Sequence, residues 1–150
     1  MFAQPPEPQS EDYLDANVYA PSTHYFGPEG RAVLLYVFDG DFNFGNAGQP
    51  PYGGSAFASY QVLIVVTSNW RNSVSGFPSS AAILIQFQNL GVPDQRFMMQ
   101  WVQDHIHVFG GDPTKVMLWG ASSRSRSDDG HLVVYTRQNA PFCAVILMAG

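Results

Sequence analysis

Cysteine is all but missing from this 150-residue chain: Cys143 stands alone, so no internal disulfide can form. Because it sits in an apolar stretch, it is expected to be a small buried hydrophobe. Charge is scarce as well, at 13% of residues, and the formal net charge of −5 leaves no basic face for nucleic acid. Long apolar runs are also lacking. The longest, Val62 to Val66 and Ala144 to Met148, are strand-sized and far short of a bilayer span, so no membrane helix is expected. The opening Met1-Phe2-Ala3-Gln4-Pro5-Pro6-Glu7-Pro8 has neither a basic n-region nor an apolar h-region. It does not read as a signal peptide, and a chain made as it stands is expected in the cytoplasm. No metal-ligand spacing of His, Cys or carboxylates occurs, so no metal or other cofactor is expected.

What is present is a globular composition, 45% apolar and 14% aromatic, enough for one domain with a substantial core. Residues 1–12 are a proline-rich lead-in. Asn17 to Ala20 reads as a short strand closed by Pro21. Arg31 to Phe38 and Gln61 to Thr67 are nearly continuous apolar runs, the pattern of strands covered on both faces in a parallel sheet. Glycines and prolines mark residues 39–56 as loop, and 69–93 read as irregular with an apolar patch at Ala82 to Ile85. After Pro93, apolar residues at Phe97, Met98, Trp101, Val102 and Ile106 predict an amphipathic helix that ends at Gly110-Gly111. Val116 to Trp119 and Ala144 to Met148 read as a third and a fourth buried strand. Strands alternating with helix and long loops predict an α/β fold around a mostly parallel sheet with flanking helices.

The chemistry gathers where the third strand ends. Val116-Met117-Leu118-Trp119 runs into Gly120-Ala121-Ser122, a strand that meets Gly-x-Ser. This is how a nucleophile elbow is built: a sharp strand-to-helix turn lifts the serine hydroxyl out of the sheet edge. A helix over Ser122 to Gln138 is then required, although Gly130 and the β-branched Val133-Val134 suit it poorly. The fifth elbow position, glycine in the motif, is Arg124. Of the histidines, His105 and His107 lie two apart on the predicted helix and point about 200° from each other, so they cannot converge on one proton or one metal. Both read as surface residues at the helix C-terminus. His131 is expected to face solvent and His24 to lie in a loop. Asp128-Asp129, with Arg124 and Arg126, read as a solvated, mutually compensating surface.

Five motifs in one order carry a family resemblance. They are Ser10-Glu11-Asp12-Tyr13-Leu14-Asp15-Ala16-Asn17-Val18, then Phe38-Asp39-Gly40-Asp41-Phe42, then Val65-Val66-Thr67-Ser68-Asn69-Trp70-Arg71 with Gly76-Phe77. Asn89-Leu90-Gly91-Val92-Pro93-Asp94-Gln95 with Trp101 to Ile106 follows, and last come Phe109-Gly110-Gly111-Asp112-Pro113 and the elbow. Together they resemble a fungal type B carboxylesterase, in the cholinesterase-like branch of the α/β-hydrolases. The resemblance implies an α/β-hydrolase fold, here incomplete, with residues 13–150 a partial domain that stops before the family's catalytic acid and histidine. It implies hydrolysis of a small-molecule carboxylic ester by Ser122 as nucleophile, with the N–H groups of Gly40, Asp41 and Ser123 as the oxyanion hole. The family is mostly secreted, unlike the location read from the N-terminus.

The departures from the family pattern point the other way. Asp39 replaces the first glycine of the oxyanion loop and Asp41 is also acidic, so two carboxylates stand beside a site of developing negative charge. Tyr13 replaces a disulfide cysteine, and Ala121 replaces a glutamate often found before the nucleophile. The expectation is therefore an inactive fragment. A catalytically dead cholinesterase-like interaction protein is the second reading. Residues 144–148 are expected to self-associate as an open apolar edge.

Overall fold

The computed structural model describes residues 10–22, 29–38, 40–121, 130–135 and 139–148. Its centre is a five-stranded sheet. In chain order the strands are β1 (Ala16–Tyr19), β2 (Arg31–Val37), β3 (Ile64–Ser68), β4 (Gly111–Ala121) and β5 (Ala144–Met148), and in space they run β1-β3-β2-β4-β5. β2 is parallel to both β3 and β4, and β4 to β5, while β1 pairs antiparallel to β3. The α/β reading and the parallel sheet are therefore observed.

Both faces of the central strands are covered, which is why their sequences do not alternate. Val33, Leu35 and Val37 of β2 share a face with Ile64, Val66, Val116 and Leu118 and pack on Met99, Val102 and Ile106. The last three come from α3 (Gly91–His105) and the 3-10 turn Ile106–Phe109. Neighbouring residues along a strand point oppositely. Tyr36 thus faces the other way, meeting Tyr52 at 5.2 Å and Trp119 at 5.0 Å between ring centroids. Phe57 of α1 (Ser55–Gln61) completes that side, 5.6 Å from Trp119.

Several expectations need correction. The loop read over 39–56 contains a 3-10 turn at Pro50–Tyr52 and the start of α1, and the strand read from Gln61 begins at Ile64. Val62, with φ 55°, closes α1 in the left-handed region and turns the chain into β3. The irregular stretch holds α2 (Ser73–Gly76) and a 3-10 turn at Ile85–Phe87, with Leu84 and Ile85 at the surface. β4 starts five residues early. Its pairing to β2 shifts register between Arg31–Gly111 and Val33–Val116, which accommodates Asp112 to Lys115 as an irregularity. Cys143 is exposed, because it precedes β5 and only its backbone N–H joins the sheet, donating to Val116 O at 2.8 Å. β5 is an outer strand among the described residues, so Ile146, Leu147 and Met148 are exposed rather than covered on both faces.

The helix after Pro93 exists, rotated from its predicted face. Its buried residues are Gly91, Gln95, Met98, Met99 and Val102, while Phe97 is 74% exposed and Trp101 is only half-buried. Residues 130–134 are helical despite their β-branched pair. No helix among the described residues is long and apolar enough to cross a membrane.

Candidate functional site

Since β2, β3 and β4 run the same way, their carboxyl ends, Val37, Ser68 and Ala121, lie at one edge, the edge where open α/β sheets bind ligands. The loop after β2 is a tight turn. Gly40 O accepts from Asn43 N–H at 2.8 Å and Phe44 N–H at 3.0 Å, and Asn43 Nδ2 donates to Asp41 O at 2.9 Å. Gly40 is buried there, and any Cβ on it would overlap the carbonyl oxygen of Phe44. Asp41 and Phe42 follow in the left-handed region, at φ 50° and 60°. Such a conformation costs an L-residue about 1–2 kcal/mol. The Asp41 carboxylate is at the surface.

The loop after β3 supports this turn from behind. Phe42 meets Trp70 and Phe77 edge-on at 5.7 and 5.5 Å, Trp70 stacks on Phe38, and Ser73 N–H donates to Phe42 O. Asn69 bridges further, accepting from Ala47 N–H at 2.8 Å and donating to Asp15 Oδ1 at 2.6 Å.

Arg71 then ties the loop to α3. Its N–H and Nε donate to Asp94 Oδ2 at 3.0 and 2.8 Å, and Nη2 lies 2.6 Å from Oδ1. Hydrogen bonding to Asp94 holds the guanidinium above its ordinary pKa, against a partial loss of hydration. Gly91 makes the approach possible: a Cβ there would overlap Arg71 O and crowd the Phe77 ring.

The residue after Asp94 reaches the other way. Gln95 and His131 are each 1% exposed, and His131 Nε2 lies 3.1 Å from Gln95 Oε1. An amide oxygen only accepts, so the imidazole donates from Nε2. This corrects the solvent-facing reading of His131: the ring is buried, and a partner from α3 meets its Nε2. Tyr135 N–H donates to His131 O at 2.9 Å, and the Arg96 guanidinium lies 5.9 Å from the Tyr135 ring centre. Phe42, Phe77, Val92, Arg96, His131 and Val134 line a cavity of about 470 Å³.

Of the predicted site residues, Gly40 and Asp41 are therefore at the carboxyl edge. Ser122 and Ser123 lie outside the described residues, as do Asp39, His24, Arg124, Arg126 and the Asp128-Asp129 pair. The described chain stops at Ala121, the last residue of β4, and resumes at Gly130. His105 and His107 are exposed at the opposite end of the sheet, before β4 begins, and His105 Nδ1 lies 3.0 Å from Trp101 O. The eleven-residue strand β4 separates them from Ala121, roughly 30 Å. No group of three His, Cys, Asp or Glu among the described residues could hold a metal.

The sequence model of the carboxylesterase family matches residues 1–150, the whole chain. The chain belongs to the carboxylesterase family. Among its carboxylesterase-family relatives, it is 36% identical over 124 residues to an acetylcholinesterase of Electrophorus electricus, covering 83% of this chain and 19% of that one. It is 37% identical over 120 residues to the para-nitrobenzyl esterase of Bacillus subtilis, covering 79% of this chain and 24% of that one. In structure it is similar to the Geobacillus stearothermophilus carboxylesterase EST55, with a TM-score of 0.79 and 34% identity over 97% of this chain and 31% of that one. The fold is thus that of an α/β-hydrolase, and the chain spans about a fifth to a third of the length of these relatives.

Gln95 and His131 went unread as a pair. The Asp94-Gln95 motif was visible in the sequence, but nothing in it indicated that each side chain reaches a different loop.

Proposed function

We propose that this chain carries the nucleophile and oxyanion half of a serine-dependent carboxylic ester hydrolase. Ser122 is the nucleophile, and the N–H groups of Gly40, Asp41 and Ser123 are the donors. The observation that carries this reading is the β2–β4 register. Tyr36 pairs with Trp119, and Gly40 follows Tyr36 by four residues while Ser122 follows Trp119 by three. The two parallel strands therefore end at the same edge at nearly the same height, which supports the reading.

In the reaction, Ser122 Oγ bonds to the ester carbonyl carbon as a general base takes its proton. The carbonyl oxygen becomes an anion held by backbone donors, and collapse expels the alcohol, which takes up that proton, to leave an acyl-enzyme that water then hydrolyses. No described histidine is free for that base: His131 is bonded to Gln95, and His105 and His107 lie at the far end of β4. We therefore expect the 150 residues on their own not to turn over esters. The histidine and acid would come from polypeptide outside them, as the resemblance implies.

The test is a chimera in which this chain replaces the matching part of the Bacillus subtilis para-nitrobenzyl esterase. Hydrolysis of a nitrophenyl ester that disappears on Ser122→Ala supports the reading. A folded chimera with no Ser122-dependent hydrolysis overturns it and favours the interaction-protein reading, for which the acidic oxyanion turn is the motivating feature. We further propose that residues 144–148 mediate self-association.

A further inference from the structure

Arg96 follows Gln95 on α3 and is half-buried. Its Nε is cut off from solvent and meets no hydrogen-bond acceptor. Among the described residues no carboxylate pairs with its guanidinium, which meets only the face of the Tyr135 ring, 5.9 Å from the centre. Arg71 and Lys115 differ: Asp94 holds the first, and Asp112 the second. A guanidinium keeps its charge in proteins, and a partly buried charge without a counter-charge is costly. An anion at Arg96 would offset that cost.

The same side chain lines the cavity of about 470 Å³ beside Phe42. Phe42, Phe77, Val92 and Val134 make the wall mainly apolar, and no carboxylate is among the described residues that line it. An apolar wall with one placed charge is the usual make-up of a small-molecule site, and such sites span about 300–1,000 Å³. We propose that this cavity binds an alkanoate, with the carboxylate on the Arg96 guanidinium and the alkyl chain against Phe42, Phe77, Val92 and Val134. Three properties select that class. The single lining guanidinium matches a single negative charge, which suits a carboxylate better than a phosphate dianion. Its planar fork of N–H donors fits two carboxylate oxygens side by side. The apolar wall offers little to a polyhydroxylated body, whereas an alkyl chain gains by leaving water. Binding here needs no reacting atom, so it goes beyond the ester-hydrolase reading and stands apart from it.

The test is calorimetric titration of the 150-residue chain with octanoate, octan-1-ol and octylammonium, which share one apolar body and differ in the charge of the head. Octanoate should bind about tenfold or more tightly than octan-1-ol, as a charge-assisted head-group contact requires, and octylammonium more weakly than either. Arg96→Met, which keeps the length and removes the charge, should bring octanoate down to the level of octan-1-ol. Val134→Glu, at a position 56% exposed and so tolerant of change, should weaken octanoate by placing a carboxylate in the cavity wall. If Arg96→Met fails to fold, Val134→Glu decides. The proposal is overturned if octanoate does not bind, if the three ligands bind alike, or if octanoate keeps its affinity in a folded Arg96→Met chain. Loss of ester hydrolysis in the chimera with octanoate binding intact would remove the catalytic reading and leave this site standing.

Discussion

Asp112 sits in the register shift of β4, where its Oδ1 accepts from Thr114 Oγ1 at 2.7 Å and Thr114 N–H at 2.8 Å. The Thr114 hydroxyl first, then its N–H and Lys115, hold this carboxyl below the ordinary carboxylate range, with slight desolvation opposing. A depressed folded pKa gives stability that is present above the unfolded value and lost as pH falls through the folded one. The loss therefore begins near pH 4 and continues below it. Urea unfolding followed down through this range should show Asp112→Asn less stable than the parent at neutral pH. The two curves should converge in acid. Parallel curves would mean that the carboxylate contributes nothing through its ionisation.

At the scale of the element, α3 offers a direct contrast between two apolar residues two positions apart. Met99 is fully buried against the sheet, and Phe97 is largely in solvent beside a groove lined by Leu14, Ala16 and Trp101. Met99→Ala should cost about 2–5 kcal/mol through lost burial and a residual cavity. Phe97→Ala should stay within about 0.5 kcal/mol. Chemical denaturation of both variants checks this, and a large cost at Phe97 would restore the face read from periodicity alone. The helix turns as it does because Gln95 can be buried once His131 meets it. A hydropathy stripe counts that glutamine as outward and so rotates the helix the wrong way.

For the molecule as a whole, the outer strand β5 is where the proposed self-association would act. Ala144 to Met148 carries no charge, and Ile146, Leu147 and Met148 are 40%, 43% and 47% exposed. An uncharged apolar outer strand offers unpaired backbone groups to another strand. Gel filtration of the 150-residue chain should show concentration-dependent self-association, and Ile146→Lys at matched concentration should shift it toward monomer. A monodisperse monomer from the unaltered chain would remove the self-association proposal.

The strands at 31–38 and 61–67 were legible in the sequence because burial on two faces leaves an uninterrupted apolar run, and that follows from side-chain direction alone; the run at 144–148 also marked a strand, but not the exposure of its last three residues. The helix after Pro93 and its glycine stop were legible for the same local reason, and Gly110, at φ 82°, does end the turn that follows it. Five ordered motifs also carried the family. Helix α1 escaped because glycine and proline on its N-terminal side hide a start that packing against Trp119 and Val65 stabilises. The buried His131, the exposed Cys143 and the inward turn of Gln95 were decided only by tertiary structure. Whether a polar side chain can leave water depends on a partner, and here that partner lies 36 residues away, beyond the reach of any local pattern.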